Sequence, residues 1–411
     1  MKKKATKTKK SILIGVLCIT IYIINYYLRN MLSVFTPELI ENYAFTESRA
    51  ALLSSVYMCF YAAGQLINGF VGDVVSPKKM CYIGTTLAAV MTMLFPFVNA
   101  LAIQVIIFAL IGFGLSMVRG PLMKTISENT EPKHARTICV FFSFASFAGP
   151  LIAGLFATAF DFKLAFTVAG AVGALMILAG VIILHTMEKR KVIGYRIKEK
   201  NERLNIKDAL SVFKIEKFGF YLAIACIVET AATSISFWIP TYLSSELGFD
   251  TVTSAAIFSS ISIARATMPF IALFLFNLTG EKDIAMMRIA FLISSLSFII
   301  SIFVKAAAAN VIIIIIALMA MSCSSSLLWS IYIPGLGKTG KVSSVNGILD
   351  CSGYIAAALA NLAFAAVMTS IGWRGVILLW ASLGAIGIAA TFFAKKKDRS
   401  RDKSSEATLS N

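Results

Sequence analysis

The chain has 411 residues, 58% of them hydrophobic, with a mean hydropathy of +0.81 and a formal net charge of +17. So apolar a composition excludes an ordinary soluble enzyme. The seven cysteines are scattered with no CxxC or metal-type spacing, which argues against a zinc or redox module.

A helix needs about 20 mostly apolar residues to cross a bilayer, and twelve such stretches succeed one another. They cover 11–36, 48–72, 80–101, 102–125, 135–160 and 162–185, then 217–243, 252–276, 285–304, 311–332, 342–368 and 371–394. The first is too long for a signal peptide and no small-residue cleavage site follows it, so it is expected to stay as helix one. Between spans six and seven lies a polar, strongly basic segment, 187–216. Ile206, Leu210 and Phe213 recur there near helical spacing, which predicts a short amphipathic helix on the inner surface. The expected organisation is a basic tail (1–10), a six-helix bundle (11–186), a linker (187–216), a second six-helix bundle (217–394) and a second tail (395–411).

The positive charge is distributed as a topology signal. With the N-terminus inside, "MKKKATKTKK", "SPKKM", "EPKHAR", the 187–216 linker, "EKDIAMMR", "GKTGK" and "KKKDRSRDK" all face the cytoplasm. The outer turns keep only Arg49, Lys163, Lys305 and Arg374 of the 38 basic residues. That asymmetry fits the positive-inside rule and predicts cytoplasmic termini in a cell membrane. It leaves the charge surplus with no need of nucleic acid, although anionic lipid would attract it.

The halves repeat each other. "FTPELIENYAFTESRAALLSS" closes span one and opens span two, and "WIPTYLSSELGFDTVTSAAIFSS" does the same for spans seven and eight. Pro37 matches Pro240, Phe45 matches Phe249, Lys163 matches Arg374 and Asp73 matches Asp283, in a common order. Parallel six-helix repeats around a central path are an alternating-access design.

Charges inside the spans carry the chemistry. A charged side chain at the bilayer centre costs roughly 2.5–3.5 kcal/mol on the lower scales, so each needs a partner, a wet cavity or a short reach to an interface. Five stand out: Arg29, Arg119, Glu229, Arg265 and Asp350. Arg29 lies on a helical polar stripe with Tyr22, Asn25, Tyr26 and Ser33, which suits an aqueous path; snorkelling to the outer surface is the alternative. Arg265 is near mid-span, too deep to snorkel, and either binds substrate or pairs with Glu229 or Asp350. Arg119 precedes Gly120–Pro121 and is a site or an interface residue; Lys124, one turn on, reads as interfacial. Glu229, with Thr233 and Ser236, and Asp350, after Asn346, are candidate proton carriers or permanent arginine partners. Tyr57, Tyr61, Gln65 and Asn68 form a second polar stripe, able to orient a ligand or to bond neighbouring helices.

"GFVGDVVSPKK" between spans two and three resembles the major facilitator superfamily signature, with Gly69 for close helix approach, Asp73 at the inner end and Lys78 in the turn. The Asp73–Pro77–Lys78 spacing, Tyr26–Tyr27–Arg29 and the Trp238–Leu243 stretch are similar to the organophosphate:phosphate antiporter branch. Asn25, Tyr26, Arg29, Leu32 and Ser33 resemble a motif of the anion:cation symporter branch. The resemblance implies twelve transmembrane helices in two pseudo-symmetric halves, an all-α membrane fold, and a cavity position for Arg29. The chain departs from the antiporter pattern where that branch has a second arginine (here Ala232), a span-two lysine (Gln65) and a span-five histidine (about Ala145), and where the signature has a basic residue (Val74).

These readings converge on a secondary active transporter, expected to be a monomer, carrying a small organic anion such as an organophosphate, a carboxylate or a sugar acid. Arg29, Arg265 and Arg119 are the expected cationic contacts, with Asn25, Tyr26, Tyr57, Tyr61 and Gln65 as polar contacts and Glu229 and Asp350 as coupling candidates. No cofactor or metal is expected. Proton-coupled efflux of amphipathic compounds is the alternative transport reading, and a non-transporting ligand sensor is the alternative of another class. The coupling ion is left open.

Overall fold

The computed structural model describes residues 2–43, 45–196 and 211–409. Among the described residues twelve long helices follow one another and there is no strand. They are α1 (Lys2–Asn42), α2 (Glu47–Val74), α3 (Pro77–Leu94), α4 (Leu101–Asn129), α5 (Pro132–Ala159) and α6 (Phe162–Lys189), then α7 (Phe218–Ser245), α8 (Thr251–Leu278), α9 (Asp283–Phe303), α10 (Ala307–Ser326), α11 (Val342–Ser370) and α12 (Trp373–Leu409). In hydrocarbon every backbone polar group must be satisfied within its own segment, which is why the apolar runs take this form. Eleven of the twelve carry a stretch long and apolar enough to cross a membrane among the described residues. The other, α11, is 29 residues long and includes positions whose side chains lie outside the description. Most of the predicted amphipathic linker helix, with Ile206 and Leu210, also lies outside the described residues. Its end, Ser211–Lys214, is a short 3-10 turn.

Two compact units emerge from the packing: Met1–Val212 with Tyr332–Cys351, and Phe213–Ile331 with Ser352–Asn411. Inside the first, α2 packs on α4, α1 on α5 and α4, and α3 on α4 and α6. Inside the second, the partners are α8 with α10, α7 with α10, and α9 with α10 and α12. The pairs α2 with α4, α1 with α4, and α3 with α4 and α6 recur with each helix number raised by six, so much of the internal repeat of the sequence is a repeat of packing.

Local chemistry repeats too. Thr46 caps α2 by accepting from the Arg49 amide at 3.2 Å, and Asp250 caps α8 by accepting from the Thr253 amide at 2.9 Å. The Phe45 amide donates to the Leu39 carbonyl at 3.2 Å, and the Phe249 amide to the Leu243 carbonyl at 3.1 Å. Both loops therefore leave their helix by the same turn before the next cap begins.

Close approach in both units depends on glycine. A Cβ at Gly149 in α5 would lie 2.3 Å from the Tyr26 Cβ and 2.8 Å from the Tyr27 amide nitrogen of α1. In the second unit a Cβ at Gly353 in α11 would lie 2.6 Å from the Glu229 Cγ of α7. Small residues at such crossings let membrane helices approach closely enough to gain dispersion energy. Gly149→Ala should therefore destabilise the protein by about 1–3 kcal/mol through overpacking. Gly154→Ala, on the same helix with nothing within 4 Å, should change stability by less than ~0.5 kcal/mol. Thermal unfolding of the two purified variants checks the contrast.

Candidate substrate site

Helix α1 carries its polar stripe into the interior of the first unit. The Arg29 guanidinium carbon lies 5.5 Å from the Tyr26 ring centre, 5.7 Å from Tyr57 and 5.1 Å from Tyr61. Those distances are within cation–π range, worth about 0.5–1 kcal/mol each where exposed and more where desolvated. A guanidinium nitrogen also contacts the Met58 sulfur at 3.7 Å. Tyr57 and Tyr61, one helical turn apart on α2, are stacked with ring centres 5.8 Å apart and buried. Tyr26 meets Tyr22 edge to face at 5.1 Å, and Tyr22 stacks on Phe142 at 3.9 Å. Three rings thus fix the direction of a cation that their faces attract.

Arg119 and Asp350 make an ion pair in this same unit. One guanidinium nitrogen donates to both carboxylate oxygens of Asp350, at 2.6 and 2.9 Å. The Asn346 amide adds a third bond to Asp350 at 3.3 Å. Asp350 is 1% exposed, so removing one partner would strand a buried charge, a loss of about 3–5 kcal/mol. Asp350 also interacts electrostatically with Arg29, and Arg119 with Tyr22, Tyr61 and Tyr26. Arg29, the tyrosines and the ion pair are therefore one cluster. Its two arginines and one carboxylate sum to +1.

Gln65 is 1% exposed, and its amide nitrogen has no hydrogen-bond partner among the described residues; the same holds for the Asn346 amide oxygen. Buried polar atoms of this kind are costly unless water or a ligand completes them. Asn25 behaves differently: its amide donates to the Leu115 carbonyl of α4 at 2.9 Å, a bond between helices. Asn68 likewise donates to the Ser116 hydroxyl at 2.7 Å.

The signature residues sit where the end of α2 meets the start of α11. The Asp73 carboxylate accepts from the amides of Ser343 and Ser344, both at 3.1 Å, and so caps the N-terminus of α11. Gly69 permits this approach, since a Cβ there would be 3.0 Å from both the Gly347 Cα and the Ser343 carbonyl oxygen. Lys124, expected near the inner interface, is fully buried in the protein, and its ammonium donates to the carbonyls of Gly72 and Asp73 at the end of α2, at 3.2 and 2.8 Å. Lys78 pairs with Glu188 at the end of α6 and lies 3.1 Å from His185 Nδ1. Lys341, in the turn before α11, contacts the Ser211 hydroxyl; burial lowers the pKa of its ammonium and Asp73 opposes the shift. The repeat mate of Asp73, Asp283, instead accepts from the Tyr221 hydroxyl.

In the second unit, Glu229 and Arg265 interact electrostatically. Arg265 Nε donates to the Ser322 hydroxyl at 3.2 Å, and Trp329 Nε1 donates to Glu229 at 3.2 Å. Trp329 belongs to a π-helical segment, Leu327–Tyr332, that continues α10. Such turns shift the helical register and turn side chains to new directions. Ala232 stands one turn beyond Glu229, and the Ser236 side chain lies outside the description.

Sequence reasoning missed Met58, Ser322 and Trp329. The first two are neutral residues in neutral surroundings. A π-turn has no composition signal, and only Pro334 just beyond it hinted at an irregular helix end.

A bundle of membrane-crossing helices with paired charges buried among them is the build of a multi-pass membrane protein. The chain belongs to the major facilitator superfamily, whose family model matches residues 18–358. A relative described as a probable sulfoacetate transporter, SauU of Cupriavidus necator, is 24% identical over 95% of each chain. Among solved structures, the fucose:proton symporter FucP of E. coli superposes with a TM-score of 0.73 at 14% identity, over 94% of this chain and 99% of that one. A bacterial homologue of the iron transporter ferroportin gives 0.73 at 12% identity, over 93% and 99%.

The ion pair yields a direct test. Arg119→Ala and Asp350→Ala should each destabilise strongly, and the double variant should cost less than their sum. A double-mutant cycle on thermal or denaturant unfolding should return a coupling above ~1 kcal/mol.

Proposed function

We propose that this superfamily transporter carries a small organic anion bearing a carboxylate, sulfonate or phosphate group, with Arg29 as its principal contact. The observation that carries the proposal is the Arg29 guanidinium directed by Tyr26, Tyr57 and Tyr61 within a buried cluster of net charge +1. Guanidinium presents a planar donor fork that matches such oxyanions. The Gln65 amide nitrogen, buried without a described acceptor, supplies a neutral donor for a substrate oxygen. The relative described as a sulfoacetate transporter supports the sulfonate and carboxylate members of this class over sugar phosphates. Ala232 and Gln65, where the organophosphate branch has basic residues, point the same way.

Uptake of labelled sulfoacetate, sugar acids and sugar phosphates into proteoliposomes tests the reading. Arg29→Lys should lower saturable anion uptake at least ~10-fold, the loss of about 1.4 kcal/mol of recognition. Arg265→Lys, which loses the Nε bond to Ser322, should reduce it as well. Unchanged anion uptake in both variants would refute the assignment, and drug extrusion without anion uptake would favour efflux.

Asp350 and Glu229 are the proposed coupling groups. Accumulation driven by an imposed proton gradient should fail in Asp350→Asn or Glu229→Gln while exchange of labelled for unlabelled anion persists. Full accumulation in both variants would remove proton coupling through these residues. The chain is proposed to work as a monomer with both termini in the cytoplasm. A C-terminal fluorescent-protein fusion should therefore fluoresce, and a C-terminal alkaline phosphatase fusion should be inactive.

A further inference from the structure

The second unit contains a cavity of about 680 Å³ between the start of α7 and the end of the membrane-crossing part of α12. Its size is in the range of small-molecule sites. Its lining mixes two chemistries: Lys214, Glu216 and Lys217 are charged, while Phe213, Phe218 and Phe393 supply aromatic surface. Phe393 is 74% and Phe213 55% exposed, which in a bilayer means exposed to lipid. Glu216 lies 3.9 Å from the Lys217 ammonium, so the two lysines and one carboxylate leave +1.

Two backbone features add to that charge. The cavity includes the first turn of α7, where no side chain caps the helix. The Phe218 amide already donates to the Ile215 carbonyl at 3.1 Å, so the amides of Gly219 and Phe220 and the helix dipole are what favour an anion there. Lys217 occupies the left-handed region at φ 59°, a conformation that glycine takes without cost and lysine does not. The cavity lies where the basic linker meets α7, and Lys395, Lys396 and Lys397 follow its last residue, Ala394, in sequence. By the positive-inside distribution this is the cytoplasmic leaflet, where anionic phospholipid is concentrated.

We propose that this cavity is a binding site for one anionic phospholipid, its phosphate held by Lys214, Lys217 and the Gly219 and Phe220 amides of α7, and its acyl chains laid over Phe393 and Phe213. The charge sign selects an anionic over a zwitterionic headgroup, and the exposed rings select a lipid over a soluble phosphate.

The test uses full-length protein purified in detergent and stripped of lipid. Phosphatidylglycerol, phosphatidylcholine or inorganic phosphate is added, and thermal stability and lipids retained in native mass spectrometry are measured. Phosphatidylglycerol should raise the melting temperature by several degrees and leave one tightly retained lipid; the other two should do neither. Lys214→Ala combined with Lys217→Gly, which relieves the backbone strain, should at least halve the shift and lose the retained lipid. Gly219→Trp provides a second variant, because Gly219 lines the cavity and a Cβ there meets nothing within 4 Å, which leaves room for the ring. Equal shifts in wild type and both variants, or equal stabilisation by phosphatidylcholine, would overturn the proposal. Stabilisation by inorganic phosphate alone would overturn the lipid assignment in favour of a soluble anion.

Discussion

A charge inside hydrocarbon must be met by the protein itself, and this requirement organises the first unit. Arg119 meets Asp350, Lys124 meets the carbonyls that end α2, and Asp73 meets the amides that begin α11. Each contact joins helices that are distant in sequence. Arg119 and Asp350 are 231 positions apart, and Asp73 and Ser343 are 270 apart. Together they explain why Tyr332–Cys351 belongs to the first unit. Apolar packing alone gives little preference among membrane helices, because lipid tails are as apolar as leucine. Buried polar contacts give the arrangement its specificity.

The two units share packing and capping but not chemistry. The glycine of α5 receives Tyr26, and the corresponding glycine of α11 receives Glu229. Arg29 has Ala232 as its counterpart by position, and Asp73, which caps a helix, has Asp283, which takes a tyrosine hydroxyl. Duplication supplied a repeated scaffold, and the divergent positions cluster where charge faces the interior. Function resides in those differences, since a scaffold shared with a fucose symporter and a ferroportin homologue does not select a substrate.

Much of the fold was legible in sequence for simple physical reasons. Apolar runs of spanning length report helices, and the chain's own repetition reported the second bundle. Thr46 and Asp250 preceded the expected helix starts as ordinary caps. Site residues were legible as a set, because intramembrane charges are few. Their partners were not. Arg265 had Glu229 and Asp350 as equal candidates, and only tertiary structure gives Asp350 to Arg119. Asn25 reads like a cavity residue on the α1 stripe, yet its amide serves the backbone of α4. Lys124 looked interfacial because two free carbonyls at the end of another helix leave no mark in sequence.

The juxtaposition of Arg29 with Asp350 bears on energy coupling in the proposed mechanism. A carboxylate in this cluster attracts the same guanidinium groups that an incoming anion requires. In that proposal, protonating Asp350 would remove the competition and raise the cluster from +1 to +2, so that anion binding and protonation would favour each other. By reciprocity the coupling is a single free energy shared by both ligands, and it needs no conformational signal to link them. A carboxylate near the substrate arginine is costly for a passive anion binder. It is useful to a transporter that must load an anion with its proton and release both together.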